Sequence, residues 1–339
     1  MRPFLYQRAG DVADAVATAS QGPRTGPPTM AAAQYLAGGT TILDLMKLDV
    51  MRPATLVDIG GIAAGAARIE RRSGGVYLGA LMTMAAAADD PEIKQNYPII
   101  AQSLDLAASP QLRNMATLGG NVLQRTRCTY FRDPSWSACN KRAPGSGCAA
   151  SGGVNRKLAV LGTSDQCIAS YPGDFAQALV ALDALVEIVG PNGSRMIPFE
   201  TLHREPGNTP HIETNLAPGE LIVGFLLPVA PWTRRSVFVK VRDRESYEFA
   251  LASAAVALDL AGGIVNQARI ALGGVATKPW RARSAEAVLA GGRIDQSTAE
   301  RAAEAAFAGA HGNGGNDYKR ELGKRTLVRA LLQTEQLGI

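Results

Sequence analysis

No run of about 18 consecutive apolar residues occurs in this chain, so no helical membrane span is read from it. The N-terminus, Met1-Arg-Pro-Phe-Leu-Tyr-Gln-Arg, has no hydrophobic signal core. By its own sequence the protein reads as soluble and cytoplasmic. Export to the periplasm as the passenger of a signal-bearing partner is the other reading. Lys/Arg runs of the kind that track nucleic-acid phosphates are missing too. Arg71-Arg72 and Arg234-Arg235 are isolated pairs, and a net charge of +5 is small for 339 residues. No G-x-G-x-x-G opens a βαβ unit, and no P-loop, G-x-S-x-G or H-E-x-x-H is present. The three histidines, His203, His211 and His311, stand in no motif with a carboxylate or cysteine at catalytic spacing. No catalytic residue is therefore assigned. A chain without acid–base or nucleophilic machinery suits an electron carrier better than a hydrolase.

Hydrophobic residues make up 46% of the chain and charged residues 19%, enough for a substantial core in two or three domains. Aromatics are only 6% while glycine is abundant, which favours close packing of small side chains. Residues 1–65 read as a small α/β unit. Its helix covers Asp11–Ala19, a breaker cluster follows at Gly22–Pro28, and short strands lie near Gln34 and Thr55. Residues 66–230 alternate strands and helices, with strands at Gly75–Gly79, Leu185–Gly190 and Leu221–Pro228. An Asn192-Gly193 hairpin turn is expected. After Pro231-Trp232 the pattern is that of a smaller α+β domain, 231–339, with strands first and helices last. Gly312-Asn-Gly-Gly-Asn reads as a flexible loop.

Two Gly-Gly turns stand out: Ala37-Gly38-Gly39-Thr40-Thr41 and Thr117-Leu118-Gly119-Gly120-Asn121. Paired glycines let successive backbone N–H groups converge on an anion with no Cβ in the way. A helix starting at Thr40 or Thr41 adds its positive end. Two such turns suit a diphosphate, one phosphate per loop. Ordinary tight turns in a glycine-rich chain explain the same residues.

All four cysteines, Cys128, Cys139, Cys148 and Cys167, lie in one segment just after the second Gly-Gly pair. Four thiolates complete a tetrahedral metal site or one iron–sulfur cluster. The gaps fit no compact zinc or ferredoxin pattern. Clustering favours a metal, as do Arg125, Arg127, Arg132, Lys141, Arg142, Arg156 and Lys157, which face only Asp133 and Asp165 within the segment. Two disulfides, or four plain thiols, stand beside the metal reading.

Three stretches in order carry a family resemblance: Ala37–Lys47, Ser109–Asn121 and Ala268–Ala276. The chain resembles, over nearly its whole length, the FAD-binding medium subunit of the xanthine dehydrogenase and carbon monoxide dehydrogenase class of molybdenum hydroxylases. The resemblance implies an α+β fold: a two-part FAD-binding domain of the vanillyl-alcohol-oxidase/PCMH type over 1–230 (parts 1–65 and 66–230), then the C-terminal medium-subunit domain over 231–339. It implies that the FAD diphosphate is held by Gly38, Gly39, Thr40 and Thr41 and by Thr117, Gly119, Gly120 and Asn121, with Leu36, Ala37 and Ile42 as further cofactor-binding residues. Asp174 matches an acidic residue near the flavin, Ile222 an aliphatic one, and Lys240 a lysine placed to influence the ring.

The stretch 122–173 is longer than in most of that family and holds every cysteine. In this it resembles the medium subunits of the periplasmic aldehyde oxidoreductase and of 4-hydroxybenzoyl-CoA reductase, the first more closely. There the insertion carries a 4Fe-4S cluster, which implies Cys128, Cys139, Cys148 and Cys167 as ligands. The expected setting is a heterotrimer with a large molybdenum-cofactor subunit, a small subunit with 2Fe-2S clusters, and an external electron acceptor. A self-sufficient flavin oxidase and a zinc-binding assembly protein are the alternatives.

Overall fold

The computed structural model describes residues 1–21, 27–62 and 66–339. Most of the Gly22–Pro28 breaker cluster lies outside the described residues. The N-terminal unit is a three-stranded parallel sheet of β1 (Leu5–Arg8), β2 (Ala33–Leu36) and β3 (Thr55–Asp58), in the order β1-β3-β2. Parallel strands need crossovers, and short helices supply them at Val12–Ala19 and Ile42–Lys47. Asp11 starts the first helix by accepting the Asp14 N–H at 2.8 Å.

The middle unit is a five-stranded antiparallel sheet, β4 (Ile69–Arg72), β5 (Gly75–Gly79), β6 (Leu185–Gly190), β7 (Gly193–Pro198) and β8 (Leu221–Pro228), in the order β4-β5-β8-β6-β7. Helices Met84–Asp89, Pro98–Asp105 and Phe175–Ala181 share a core with it, around Leu78, Val186, Phe225 and Leu227. The third sheet is β9 (Ser236–Val241), β10 (Ala252–Ala261), β11 (Ile264–Gly273) and β12 (Trp280–Arg281), in the order β12-β11-β10-β9. Helices Arg283–Leu289, Gln296–Phe307 and Tyr318–Glu335 pack with it into a second core.

Helix Phe175–Ala181 joins these layers. All seven of its residues are buried, which explains a sequence with no charged face. Phe238, Ala255 and Ala271 of the third sheet belong to the same core as Phe175 and Leu179, so the hydrophobic interior runs unbroken from the middle sheet into the C-terminal unit. Among the described residues, no helix is long and apolar enough to cross a membrane.

Several expectations shift. The hairpin loop is Pro191-Asn192, one residue earlier than expected, because Gly190 pairs with Gly193 and Gly193 takes the positive φ of 104°. The second Gly-Gly pair is not a turn: it lies inside a five-residue helix, Leu118–Val122. Gly312–Asn316 is no free loop either, since Asn316 is fully buried and its side chain donates to the Ala159 carbonyl at 2.8 Å.

Gly323 sits mid-helix, where alanine normally helps by about 1 kcal/mol. Here a Cβ would stand 2.2 Å from Cζ of the buried Phe307 ring. Gly323→Ala should therefore lower stability by roughly 1–3 kcal/mol, and pairing it with Phe307→Leu should recover most of the loss. Thermal unfolding of the two variants checks this.

Candidate functional site

A cavity of about 430 Å³ lies between the N-terminal unit and the middle sheet. Its wall includes Ala37, Gly38, Gly39, Thr40, Thr41 and Ile42 from the loop after β2, and Thr117, Gly119, Gly120 and Ile222. The structure thus brings ten of the expected residues to one space. Leu36 and Ile42 also pack against the core around the cysteines. Tyr35 closes one end, its hydroxyl donating to the Gly219 carbonyl at 2.8 Å.

The two glycine pairs play different parts. A Cβ on Gly38 would fall 1.8 Å from the Met115 carbonyl oxygen, so glycine there is a condition for the first loop to lie against the second. Gly39 takes φ +74°, a left-handed conformation that favours glycine. Among the described residues, the N–H groups of Gly39, Thr40, Thr41 and Ile42 meet no acceptor. Those four donors are what this loop offers an anion. The second pair offers none of that. Gly119 N–H donates to the Ala80 carbonyl at 2.8 Å, Gly120 N–H to Thr117 Oγ1 at 3.2 Å, and Asn121 N–H to the Thr117 carbonyl at 2.8 Å. Thr117 is thereby a helix cap. The two loops thus differ in what they leave free: the second spends its N–H groups from Leu118 to Asn121, and among the described residues only Thr117 N–H of that loop meets no acceptor.

Four expected residues stand outside this wall, Leu36 among them. Asn121 is buried, with its amide donating to Met84 Sδ at 3.3 Å. Asp174 and Lys240 form an ion pair, Oδ2 to Nζ 2.7 Å, with side chains only 3% and 1% exposed. Lys240 also donates to the Leu106 carbonyl at 2.9 Å. Burial pushes the Asp174 carboxyl up against the pull of Lys240. Ile222 reaches the cavity through a break in strand register: Glu187 pairs with Gly224 but Ile188 with Ile222, so Val223 is the extra residue of a bulge.

The cysteines come from well-separated points of the segment, yet all four line one small cavity of about 10 Å³. None is disulfide-bonded. Cys139 and Cys148 face each other across a short antiparallel bridge. Cys167 Sγ accepts the Ala169 N–H at 3.5 Å. Burial pushes the Cys128 thiol up to about 12 and raises Cys167 as well. Among the described residues, no group of three or more His, Cys, Asp or Glu side chains stands in metal-ligating geometry. Cys167 belongs to the wall of both cavities.

The cations of the segment are not the uncompensated field that its own sequence suggests. They pair with carboxylates far away in the chain. Arg132 and Arg127 both reach Asp44, at 2.8 and 3.2 Å. Burial works to raise the Asp44 carboxyl, but the two guanidiniums hold it below its usual range. Arg125 and Lys141 share Glu213. Arg156 makes a bidentate pair with Asp243 at 2.9 Å, and Lys157 reaches Glu248 at 3.3 Å. Arg142 donates to the carbonyls of Tyr130, Phe131 and Trp136. Sequence reasoning missed Tyr35, Asp44 and Glu213. Glu213 sits in an irregular loop with no periodicity to mark it.

His203 is a neutral core histidine. It is buried, its pKa is depressed to about 4 by burial, and Nε2 donates to the Val122 carbonyl at 2.9 Å.

Comparison with known proteins agrees with this architecture. Residues 2–230 match the family model described as the FAD binding domain in molybdopterin dehydrogenase, and 237–334 match the CO dehydrogenase flavoprotein C-terminal domain. The chain is 43% identical over 335 residues to the aldehyde oxidoreductase FAD-binding subunit PaoB of Escherichia coli, covering 98% of each chain. It is 28% identical to the carbon monoxide dehydrogenase medium chain of Afipia carboxidovorans, covering 97% of this chain and 95% of that one. Among solved structures, the reconstituted CO dehydrogenase from Oligotropha carboxidovorans matches with a TM-score of 0.75 at 26% identity, covering 99% of each chain. These relatives are subunits of oxidoreductases. The chain belongs to the family of FAD-binding medium subunits of molybdenum hydroxylases.

Lys240→Met should leave Asp174 buried without a counter-charge and cost about 3–5 kcal/mol, whereas Lys240→Met with Asp174→Leu should cost much less. Denaturant unfolding separates the two. Glu213 gives a pH dependence. Burial tends to raise its carboxyl, but Arg125 and Lys141 bring it below its ordinary value of 4.5. The folded protein thus binds this proton less tightly than the unfolded chain. Its contribution is complete above pH 4.5 and is lost as pH falls through the folded value. Hydrogen exchange over residues 203–219 should quicken as pH drops below that point, beyond the intrinsic trend, and Glu213→Gln should remove the step.

Proposed function

We propose that this chain is the FAD and 4Fe-4S electron-transfer subunit of a heterotrimeric aldehyde oxidoreductase or xanthine dehydrogenase-like enzyme. Its partners are a large molybdenum-cofactor subunit and a small subunit with 2Fe-2S clusters, and its electrons leave to an external acceptor. The observation that carries the reading is the loop of four unspent N–H donors at the wall of a large cavity, inside the stretch that matches an FAD-binding domain. Bound FAD supplies the exchange between two-electron and one-electron transfer. The chain's own residues bind and orient it. Gly39, Thr40, Thr41 and Ile42 offer backbone N–H groups to the diphosphate, and Leu36, Ala37 and Gly38 fix that loop. Thr117, Gly119 and Gly120 shape the opposite wall, and Asn121 supports it from behind. Ile222, Asp174 and Lys240 are the residues assigned to the flavin end, the last two as a neutralised pair.

The cluster reading rests on the donor set. Four free thiols share one cavity, and backbone N–H groups point at two of the sulfurs, as suits thiolate ligands. The 43% identity to an aldehyde oxidoreductase subunit supports the aldehyde-oxidising type over a nitrogen-heterocycle one. The compartment is the cytoplasm, or the periplasm through a signal-bearing partner. The two family models, 2–230 and 237–334, support dividing the chain near Ala230, with 1–65, 66–230 and the insertion 122–173 as parts of the first domain.

Purified anaerobically, the chain should hold one FAD and about four irons. Cys139→Ser with Cys148→Ser should abolish the iron and leave the flavin. Iron unchanged in that variant, or zinc in place of iron, contradicts the cluster. A colourless protein free of flavin contradicts the whole assignment.

A further inference from the structure

Lys319 is fully buried in the first turn of the last helix. Its ammonium has three donors, and all go to main-chain carbonyls: Lys157 at 3.1 Å, Leu158 at 3.1 Å and Gly274 at 2.6 Å. Asn316, also fully buried, donates to the next carbonyl, Ala159, at 2.8 Å. Asn155 answers from the other side, its amide donating to the Asn313 carbonyl at 2.7 Å. The backbone completes the grip: Val160 and Leu161 N–H donate to the Val275 carbonyl at 2.8 and 3.0 Å, and His311 N–H to the Val160 carbonyl at 2.8 Å. Residues 155–161 are therefore held by the C-terminal unit along their whole length. A buried ammonium is costly, and this one is placed where the Leu158 and Gly274 carbonyls would otherwise be orphaned; the Lys157 carbonyl also accepts from Ser170 Oγ at 3.1 Å.

That limb leads to one cysteine only. Ala159 N–H donates to the carbonyl of Ile168, the residue after Cys167, at 2.9 Å. Cys128, Cys139 and Cys148 ride on the earlier limb. It is tied elsewhere: through Arg127 and Arg132 to Asp44, through Lys141 to Glu213, and through the Arg142 carbonyl to Thr29 Oγ1 at 3.3 Å. The four thiols thus meet across a joint between two limbs with different outer anchors, which also bond to each other: Asn140 Nδ2 donates to the Gln166 carbonyl at 3.1 Å and Thr126 Oγ1 to the Ser170 carbonyl at 2.8 Å.

We infer that Asn316 and Lys319 are positioning residues, which set Cys167 against the other three cysteines and so couple iron retention to docking of the C-terminal unit. This rests on the cluster reading above. The test uses the full chain, reconstituted with iron and sulfide, and follows iron loss to a chelator together with FAD content. Asn316→Ala and Lys319→Met should each lose iron on the order of tenfold faster than the parent, with FAD content unchanged. Leu331→Ala is the control: it removes packing from the core that Val160 and Leu161 share but none of the hydrogen bonds to residues 155–161, and should retain iron like the parent. Loss rates equal to the parent in both variants, or equally fast loss from Leu331→Ala, would overturn the inference. Hydrogen exchange on the iron-free chain gives an independent arm. Ala159 to Ala169 should lose protection in Asn316→Ala and Lys319→Met, and unchanged protection also overturns it. A parent chain that takes up no iron sinks the cluster reading, while the exchange result still decides whether these residues hold the limb.

Discussion

The contact between Gly38 and the Met115 carbonyl sets the arrangement of the site. A Cβ there would sit 1.8 Å from a backbone oxygen, so only glycine lets the N-terminal sheet settle against the middle unit at this distance. Everything that lines the large cavity follows from that approach. The first loop packs at Gly38 against Met115 and Ala116 and leaves its N–H groups at 39–42 without acceptors. The short helix from Leu118 continues directly from the same contact and forms the facing wall. A glycine pair read from sequence as an anion cradle is thus, at its first residue, a packing requirement, and at its second a left-handed turn.

The chemistry of the two cavities differs in kind. The large one is bounded on its glycine-loop side by backbone donors and small side chains, which suits a ligand recognised by shape and by charge on its phosphates, while Arg125, Lys141, Arg204 and Glu213 also line it. The small one is bounded by sulfur. Between them stand Cys167 and Lys141, which line both. The Asp174–Lys240 pair is walled off from solvent and held at the start of the fully buried Phe175–Ala181 helix. Fixed, paired charges in such a place alter a neighbouring group mainly through orientation, because the pair carries no net charge.

Much of the fold was legible in the sequence. Strand periodicity located β2, β3, β5, β6 and β8 and the long strands of the C-terminal unit to within a few residues. What failed did so for tertiary reasons. Leu118–Val122 contains two glycines and has little helix propensity. Its helicity comes from the Thr117 cap and from Leu118 and Gly119 N–H donating into the β5 end at Met82 and Ala80. Gly312–Asn316 reads as flexible because nothing local reveals that Asn316 will be buried beneath residues 155–161 of a distant segment. The grouping of the cysteines in one cavity agrees with their clustering in sequence. The charge reading of that segment failed because its counter-ions, Asp44, Glu213, Asp243 and Glu248, lie 72 to 91 residues from their partners along the chain, outside any local window.

Those four carboxylates bear on portability. Residues 122–173 carry seven arginines and lysines against two aspartates. Transplanted alone into a relative with a shorter connection, the segment would arrive with its cations unmatched and its two limbs free to splay. A working graft would have to bring its anchors along: Asp44 from the helix after the first glycine loop, Glu213 from the loop before β8, and Asp243 with Glu248 from beyond β9. The segment is short in sequence, but as a physical module it extends over all three units of the protein.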